Sequence, residues 1–150
     1  MSRARLALLL WLLSGCTPTL EGVRSTLDST DAGTIWFASA GTLGRTPTRL
    51  IPGPPVALSG DLRLPDGNGP FPAVVLAHGC GGVGNAERGW VAPLTGAGYA
   101  TFVIDSFTGR GLREVCIQGR ALIALQRIPD AYGALRLLAT HPRIDAAHVA

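Results

Sequence analysis

Three features are missing from this sequence, and each absence excludes something. The chain has no lysine, so its formal charge of +3 rests on 13 arginines against 10 acidic residues. The apolar run Leu6–Leu13 is shorter than the roughly 20 residues of a membrane-spanning helix, but it has the length of an export-signal core. The motifs Gly-x-Ser-x-Gly and Gly-x-Cys-x-Gly are absent as well, so these 150 residues contain no nucleophile elbow of that form.

The N-terminus is typical of an exported lipoprotein. Arg3 and Arg5 precede the apolar run, as in signal peptides. The sequence Leu-Ser-Gly-Cys at 13–16 resembles the lipobox of bacterial lipoproteins, although an ordinary signal peptide with an incidental cysteine is the alternative. We therefore expect cleavage after residue 15 and lipidation of Cys16 on the periplasmic side of a bacterial membrane. Thr17 stands where a retention signal would have aspartate, which favours the outer membrane.

The residues after the signal predict a tether and one domain. Without Arg3 and Arg5, 11 of the 13 arginines remain against 10 acids, and such a near-neutral chain argues against nucleic acid as a partner. The stretch 16–33 is rich in Thr, Ser, Asp and Gly and predicts a flexible link to the membrane. The stretch 34–150 suffices for one modest domain.

The pattern of apolar residues predicts an α/β fold. Thr34–Ala38 and the partly alternating Val56–Leu64 are typical of half-exposed strands. Ala73–Ala77 and Ala100–Asp105 are apolar on both faces, which indicates strands covered on both sides by helices. Between them, Glu87–Gly98 predicts a loop and a short helix, because its internal glycine and proline suit a long helix poorly.

A second helix and a further strand are predicted near the end of the chain. Helical spacing relates Ile128, Ala131, Leu135 and Leu138, with a proline in the first turn and Pro142 as a stop. This face is predicted to pack on the sheet. The last three residues, 148–150, indicate the start of another buried strand.

The segment Ala73–Gly82 carries the chemistry, because a buried strand runs directly into a glycine-rich corner. Such a corner exposes backbone N–H groups. In enzymes that attack carbonyl carbon, donors of this kind stabilise the oxyanion of the transition state.

The order of these motifs resembles the N-terminal half of an α/β-hydrolase similar to the dienelactone hydrolases. The resemblance covers about 34–150 and rests on these segments: a hairpin ending in Leu64-Pro65, the run Phe71–Gly82, Gly98-Tyr99, Asp105-Ser106-Phe107, Arg110-Gly111, Asp130-Ala131 and Ala134-Leu135. It implies a three-layer fold, incomplete here, with a mostly parallel sheet and an N-terminal antiparallel hairpin. It also implies hydrolysis of a small ester or lactone through a covalent acyl-enzyme, with no metal and no organic cofactor.

In that family the corner after the third strand gives one oxyanion donor, which here would be the backbone of Cys80 or Gly81, in a loop shaped by His78, Gly79 and Gly82. The nucleophile follows the fifth strand, and the acid and histidine come later. All three would fall beyond residue 150, so no triad residue is assigned and this fragment is expected to be inactive alone. Because the third strand pairs with the fifth, Val74–Leu76 are expected on an open sheet edge that favours aggregation.

Several residues have competing interpretations. Cys80 is a poor nucleophile candidate, because an elbow needs a small residue where His78 stands. That histidine is predicted to stabilise the loop rather than to act as a base. His141 is predicted to be a surface residue at a helix end, and no partner is predicted for His148.

The remaining cysteines and the residues after the strands extend the candidate site. An oxidising periplasm would favour a disulfide between Cys80 and Cys116, against two buried free thiols. Residues just after strand ends line active sites in open α/β sheets, which makes Ser106, Arg110 and Trp90 candidates for the substrate cleft. Arg110 could equally pair with a carboxylate, and a tryptophan is more often part of a core.

Two other functions remain open. Gly79-x-Gly81-x-x-Gly84 followed by Asp105 fits a dinucleotide fingerprint, but that fold needs a regular helix starting within the glycines. The second alternative is a lipid-anchored binding domain without catalysis.

Overall fold

The computed structural model describes residues 22–46, 48–117 and 121–150. The predicted signal peptide and the predicted lipidation site, Cys16, lie outside these ranges. The described strands are β1 (Gly33–Ala38), β2 (Thr42–Arg45), β3 (Leu50–Gly53), β4 (Ala57–Arg63), β5 (Phe71–Ala77), β6 (Ala100–Asp105) and β7 (Ile144–Val149). The helices are α1 (Asn85–Gly96) and α2 (Ile128–Leu138), and short 3₁₀ turns span Thr108–Arg110 and Ala124–Arg127.

Five strands form one central sheet in the order β1-β4-β6-β5-β7. Strand β4 runs antiparallel to both of its neighbours, while β5 runs parallel to β6 and to β7. Four strands therefore point one way and β4 points the other. Strands β2 and β3 form a separate antiparallel hairpin between β1 and β4. The predicted α/β class with a mostly parallel sheet and an antiparallel hairpin is confirmed at this level.

Helices cover both faces of the sheet, and strand β6 lies at its centre. The side chains of Phe102 and Ile104 join the main core together with Leu138 of α2. Because neighbouring strand residues point to opposite faces, Val103 points the other way, where it lines a groove with Val91 of α1. The apolar run of β6 thus reflects burial on both faces, as predicted.

Helix α2 forms where predicted, and Ala134 and Leu138 are buried as predicted, but the buried face is rotated away from Ile128, Ala131 and Leu135. Its buried residues are Pro129, Asp130, Gly133, Ala134, Leu137 and Leu138, whereas Ile128 is 44% exposed. The rotation is fixed by close contact, because a Cβ on Gly133 would lie 2.4 Å from the carbonyl oxygen of Ala38. Helical spacing alone does not reveal such a backbone approach.

Helix α1 is longer than predicted, since it begins directly after the glycines and runs for 12 residues. The carboxylate of Glu87 accepts the N–H of Gly84 at 2.8 Å and so caps the helix start. Pro93 removes the N–H that would bond the carbonyl of Gly89, but that glycine is exposed, so water can satisfy its oxygen. A proline is therefore tolerated on the exposed face of this helix, whereas inside a buried helix the lost hydrogen bond would be costly.

The folded domain begins earlier than the predicted boundary at residue 34. The N–H of Arg24 donates to the carbonyl of Trp36 at 2.8 Å. Leu27 is buried in the main core, and its N–H donates to the Oγ1 of Thr140 at 3.0 Å. A single leucine in a polar stretch thus anchors about ten residues that composition assigns to a tether.

This N-terminal segment also covers His141, so its predicted surface position is wrong. The imidazole is 2% exposed. Its Nδ1 accepts the N–H of Arg143 at 3.0 Å, and Nε2 lies 3.2 Å from the carbonyl oxygen of Asp31.

Strand β7 begins four residues before the predicted start of the last strand. It pairs with β5 through Phe71 opposite Ile144 and Ala73 opposite Val149, with an irregularity between. The N–H of Val75 also donates to the carbonyl of Ala150 at 2.7 Å. The expectation that Val74–Leu76 form an open edge is therefore wrong for Val75, whose N–H is paired.

The position of the α2 face can be tested with two alanine substitutions on the same helix. Leu138→Ala removes a fully buried side chain from the main core and should lower the free energy of unfolding by about 2–5 kcal/mol. Ile128→Ala, at an exposed position, should lower it by less than about 1 kcal/mol. Urea denaturation measures both, and similar losses would contradict the observed rotation of the helix.

Candidate functional site: an open glycine bend

The glycine corner forms an open bend at the carboxyl end of β5. His78 is buried, but Gly79, Cys80 and Gly81 are exposed. The chain reverses direction there and continues through Gly82 with φ +80°, a conformation that strongly favours glycine. Helix α1 begins only at residue 85, so the bend is neither sealed inside the domain nor part of a helix.

Backbone donors in this bend, those of Cys80 and Gly81 among them, have no partner in the described part of the chain. The space beside the bend is open as well, since a Cβ on Gly79 or Gly81 would meet no atom within 4 Å. A ligand oxygen can therefore approach the main chain closely.

The buried ring of His78 ties this bend to the end of β6. Its Nδ1 lies 2.7 Å from the carbonyl oxygen of Gly79, and its Nε2 accepts the N–H of Ser106 at 3.1 Å. A carbonyl can only accept and an amide N–H can only donate, so the proton is on Nδ1. Both ring nitrogens are thus engaged, which is the loop-stabilising role that the sequence predicts.

Burial keeps this imidazole neutral. Desolvation lowers the pKa of His78, and the bond to Gly79 opposes this shift only in part. The carboxylate of Asp105 lies 4.0 Å from Nε2, and its charge acts against burial without overcoming it.

Arg127 holds the backbone at the start of the bend. The sequence did not predict this role. The Nη2 of Arg127 donates to the carbonyl of His78 at 2.8 Å, and its guanidinium lies 5.3 Å from the ring centre of Phe107. The same phenyl ring meets the imidazole edge-on at 4.3 Å. No local pattern marks this arginine, because its partners lie far away in sequence.

Glu87 is a second residue that sequence reasoning misses. Hydrogen bonding from the N–H of Gly84 lowers the pKa of its carboxyl, and the N–H of Gly79 adds to this effect. The carboxylate therefore fixes the end of the bend at which α1 begins. Its signal was available, because a glutamate three residues after a helix cap is half of a capping box.

A disulfide joins Cys80 to Cys116, with an S–S distance of 2.12 Å and a sequence separation of 36. The sequence left this pairing open against two free thiols. The N–H of Val115 also donates to the carbonyl of Cys80 at 2.8 Å, and Val115 packs with Phe107 and Leu122 in a small second core. With its sulfur in a disulfide, Cys80 cannot act as a nucleophile.

The predicted cleft residues Ser106 and Arg110 do not line open space. Ser106 is fully buried, and its Oγ has no hydrogen-bond partner in the part of the chain described. Arg110 instead makes two hydrogen bonds to the carboxylate of Asp130, at 2.8 and 2.7 Å, and one to the carbonyl of Ser106 at 2.7 Å. Its pairing role, the alternative weighed from sequence, is the one observed. Trp90 is 60% exposed on α1.

The carboxylate of Asp105 is engaged in the loop that follows β6. It accepts the N–H groups of Phe107 and Thr108, at 2.8 and 3.0 Å, and the hydroxyl of Thr108. The sequence argument against a dinucleotide, the lack of a regular helix after the glycines, is wrong because α1 forms there. The engaged carboxylate and the disulfide within the fingerprint are the observations that count against it.

A groove of about 420 Å³ lies beside the bend. It is lined by Thr34, Ser59, Gly60, Asp61, Arg63, Val83, Arg88, Val91, Val103 and Asp105. Among residues 22–46, 48–117 and 121–150, no three His, Cys, Asp or Glu side chains form a group that could hold a metal ion. Over the same ranges, no helix has the length and apolar character needed to cross a bilayer.

Comparison with known proteins adds no assignment. No family model matches the chain, and no curated protein matches it.

The neutral state of His78 predicts a pH-dependent stability. Because its pKa is lowered in the folded protein, the unfolded chain takes up a proton near its ordinary pKa of about 6.5 that the folded chain does not. Stability should therefore be full above that pH and fall as the pH is lowered from 7.5 to 5.5. Denaturation with urea across this range measures the slope.

His78→Gln is the matched variant for this test. Its side-chain oxygen can still accept the N–H of Ser106, but it cannot take up a proton. We expect a shallower slope between pH 5.5 and 7.5 in this variant. An identical slope in both proteins would show that another group causes the dependence.

The disulfide predicts a measurable loss of stability on its removal. In the chain-entropy model, a bridge across 36 residues contributes roughly 3 to 4 kcal/mol. The double variant Cys80→Ser, Cys116→Ser should lose about this amount in urea denaturation. Thiol titration of the unfolded, unreduced protein should detect neither cysteine, and two reactive thiols would rule out the bridge.

Proposed function

We propose that this chain supplies the oxyanion half of an α/β-hydrolase of the dienelactone hydrolase type, which cleaves an ester or lactone through a covalent acyl intermediate. The observation that carries the proposal is the open bend at the end of β5, with the free N–H groups of Cys80 and Gly81. When a nucleophile adds to a carbonyl, its oxygen becomes negative. Amide donors fixed in advance around that oxygen lower the barrier, and each is worth about 10²–10³ in rate.

The strand order supports the same proposal. Within the central sheet, β5 is the third strand along the chain and β7 is the fifth. The two pair in parallel, as the resemblance to α/β-hydrolases implies. The bend follows the third strand, which is where that family places its first oxyanion donor.

The described residues position the donor but do not perform the attack. His78 and Cys80 are both engaged in holding the bend, so neither serves as base or nucleophile. In this proposal a serine or cysteine nucleophile, an acid and a histidine lie outside the 150 residues.

The proposal includes an anchor at Cys16 on the periplasmic side of a bacterial membrane, with the outer membrane favoured. The disulfide is consistent with an oxidising compartment. The substrate is a small ester or lactone, and neither nucleic acid nor a cofactor takes part.

The reading frame after codon 150 tests the proposal sharply. Because the fifth strand ends at Val149 and the elbow follows that strand directly, Gly-x-Ser-x-Gly or Gly-x-Cys-x-Gly should be encoded within about ten residues after Ala150. A frame that continues as a domain without such a motif would contradict the hydrolase proposal and favour a binding domain.

The role of the bend is tested on the protein expressed from that longer frame. A phosphonate ester that reacts with the nucleophile places a negative oxygen where the oxyanion forms. The amide resonance of Cys80 or Gly81 should then move strongly in a ¹⁵N–¹H spectrum, while that of Gly96, at the far end of α1, should not. A labelled protein in which neither bend resonance moves would contradict the assignment.

A further inference from the structure

The N-terminal side of the described chain lies at the same edge of the sheet as the glycine bend. Arg24 bridges to Phe37, near the carboxyl end of β1. Strand β1 points the same way as β5, because both are opposed in direction to β4. The chain therefore enters the domain at the edge that carries the free amides.

The distance from the predicted anchor to this edge is short. Cys16 and Arg24 are eight residues apart, which spans at most about 28 Å even when fully extended. Because the N–H of Arg24 is bonded to the carbonyl of Trp36, the link to a lipid on Cys16 is restricted to this length. The anchor would keep the carboxyl edge of the sheet close to the bilayer.

An exposed apolar surface lies at this edge. On the hairpin that follows β1, Leu50 is 39% and Ile51 is 45% exposed. Strand β2 of the hairpin packs against the 3₁₀ turn Ala124–Arg127. From there a stripe at helical spacing continues with exposed Leu125, Ile128 and Tyr132. We call these five residues the apolar edge surface.

The sequence around the hairpin of this surface carries positive charge alone. No acidic residue occurs between Asp31 and Asp61, or between Glu114 and Asp130. The hairpin stretch contains Arg45 and Arg49, and Arg49 is exposed. Arg127 in the second stretch is engaged with the carbonyl of His78 and does not belong to this surface. In a mature chain that is nearly neutral overall, apolar side chains among arginines without carboxylates fit an anionic lipid surface.

We propose that the apolar edge surface lies on the anionic bilayer that holds the Cys16 anchor. The inference rests on the lipid anchor in the proposed function, and it adds an orientation: the glycine bend is at the membrane side of the domain. The alternative occupant is a protein partner, which the experiment below separates from lipid.

The test uses the full, processed and lipidated chain, purified from membranes, with lipid on Cys16 verified by mass spectrometry. The protein is reconstituted into phosphatidylethanolamine–phosphatidylglycerol vesicles whose acyl chains are brominated. Bromine quenches nearby indoles. One variant combines Ile51→Trp with Trp36→Phe and Trp90→Phe, and the matched control carries Trp36→Phe and keeps Trp90 on α1.

We expect quenching at the substituted position 51 to be at least twofold stronger than at Trp90, and weaker in vesicles of phosphatidylcholine alone. Equal or weaker quenching than at Trp90 would overturn the proposal and favour a protein partner. Equal quenching in both lipid compositions would remove the role assigned to the arginines. A Cys16 without lipid would overturn the proposal as well.

Hydrogen exchange on the unsubstituted protein keeps the test independent of how the variant folds. Vesicles should slow exchange in the hairpin and around Leu125 relative to α1, and uniform exchange would contradict the orientation. Neither readout uses ester hydrolysis. Failure of the hydrolase proposal and failure of the membrane orientation are therefore distinguishable.

Discussion

The site depends on one buried imidazole. His78 accepts a hydrogen bond from the loop after β6 and donates one to the bend after β5, so two strand ends that belong to different parts of the sequence become one unit. The ring can do this only in its neutral form, which burial enforces. Without this link, the glycines of the bend would have no fixed conformation, because glycine restricts its own backbone least of all residues.

The other contacts of the bend act in the same direction. Glu87 accepts the N–H of Gly84 at the end where α1 begins, Arg127 bonds the carbonyl that precedes the bend, and the disulfide fixes its outer side. Because these contacts fix the backbone, the amides of Cys80 and Gly81, which have no partner among the described residues, are held in place. The proposed function uses this, since preorganised donors stabilise negative charge without reorganising.

The sequence predicts the helices and strands better than it predicts the tertiary contacts that these elements make. Strands β1, β4, β5 and β6 follow from local patterns of apolar residues, and α2 follows from helical spacing and its flanking prolines. The face of α2 and the burial of His141 depend on contacts with Ala38 and with the segment around Asp31. Their partners lie about 95 to 110 residues away, and no local pattern encodes them. The same holds for the site: its glycines are visible in sequence, whereas Arg127 is not.

Cys80 serves the bend in three ways, through its sulfur, its carbonyl and its free amide. These contacts do not all form at the same time, because the disulfide requires oxidation and the hydrogen bond does not. Before the disulfide forms, the outer side of the bend is held by the hydrogen bond from Val115 and the small core beneath it. Oxidation of Cys80 and Cys116 therefore completes the set of contacts that hold this corner.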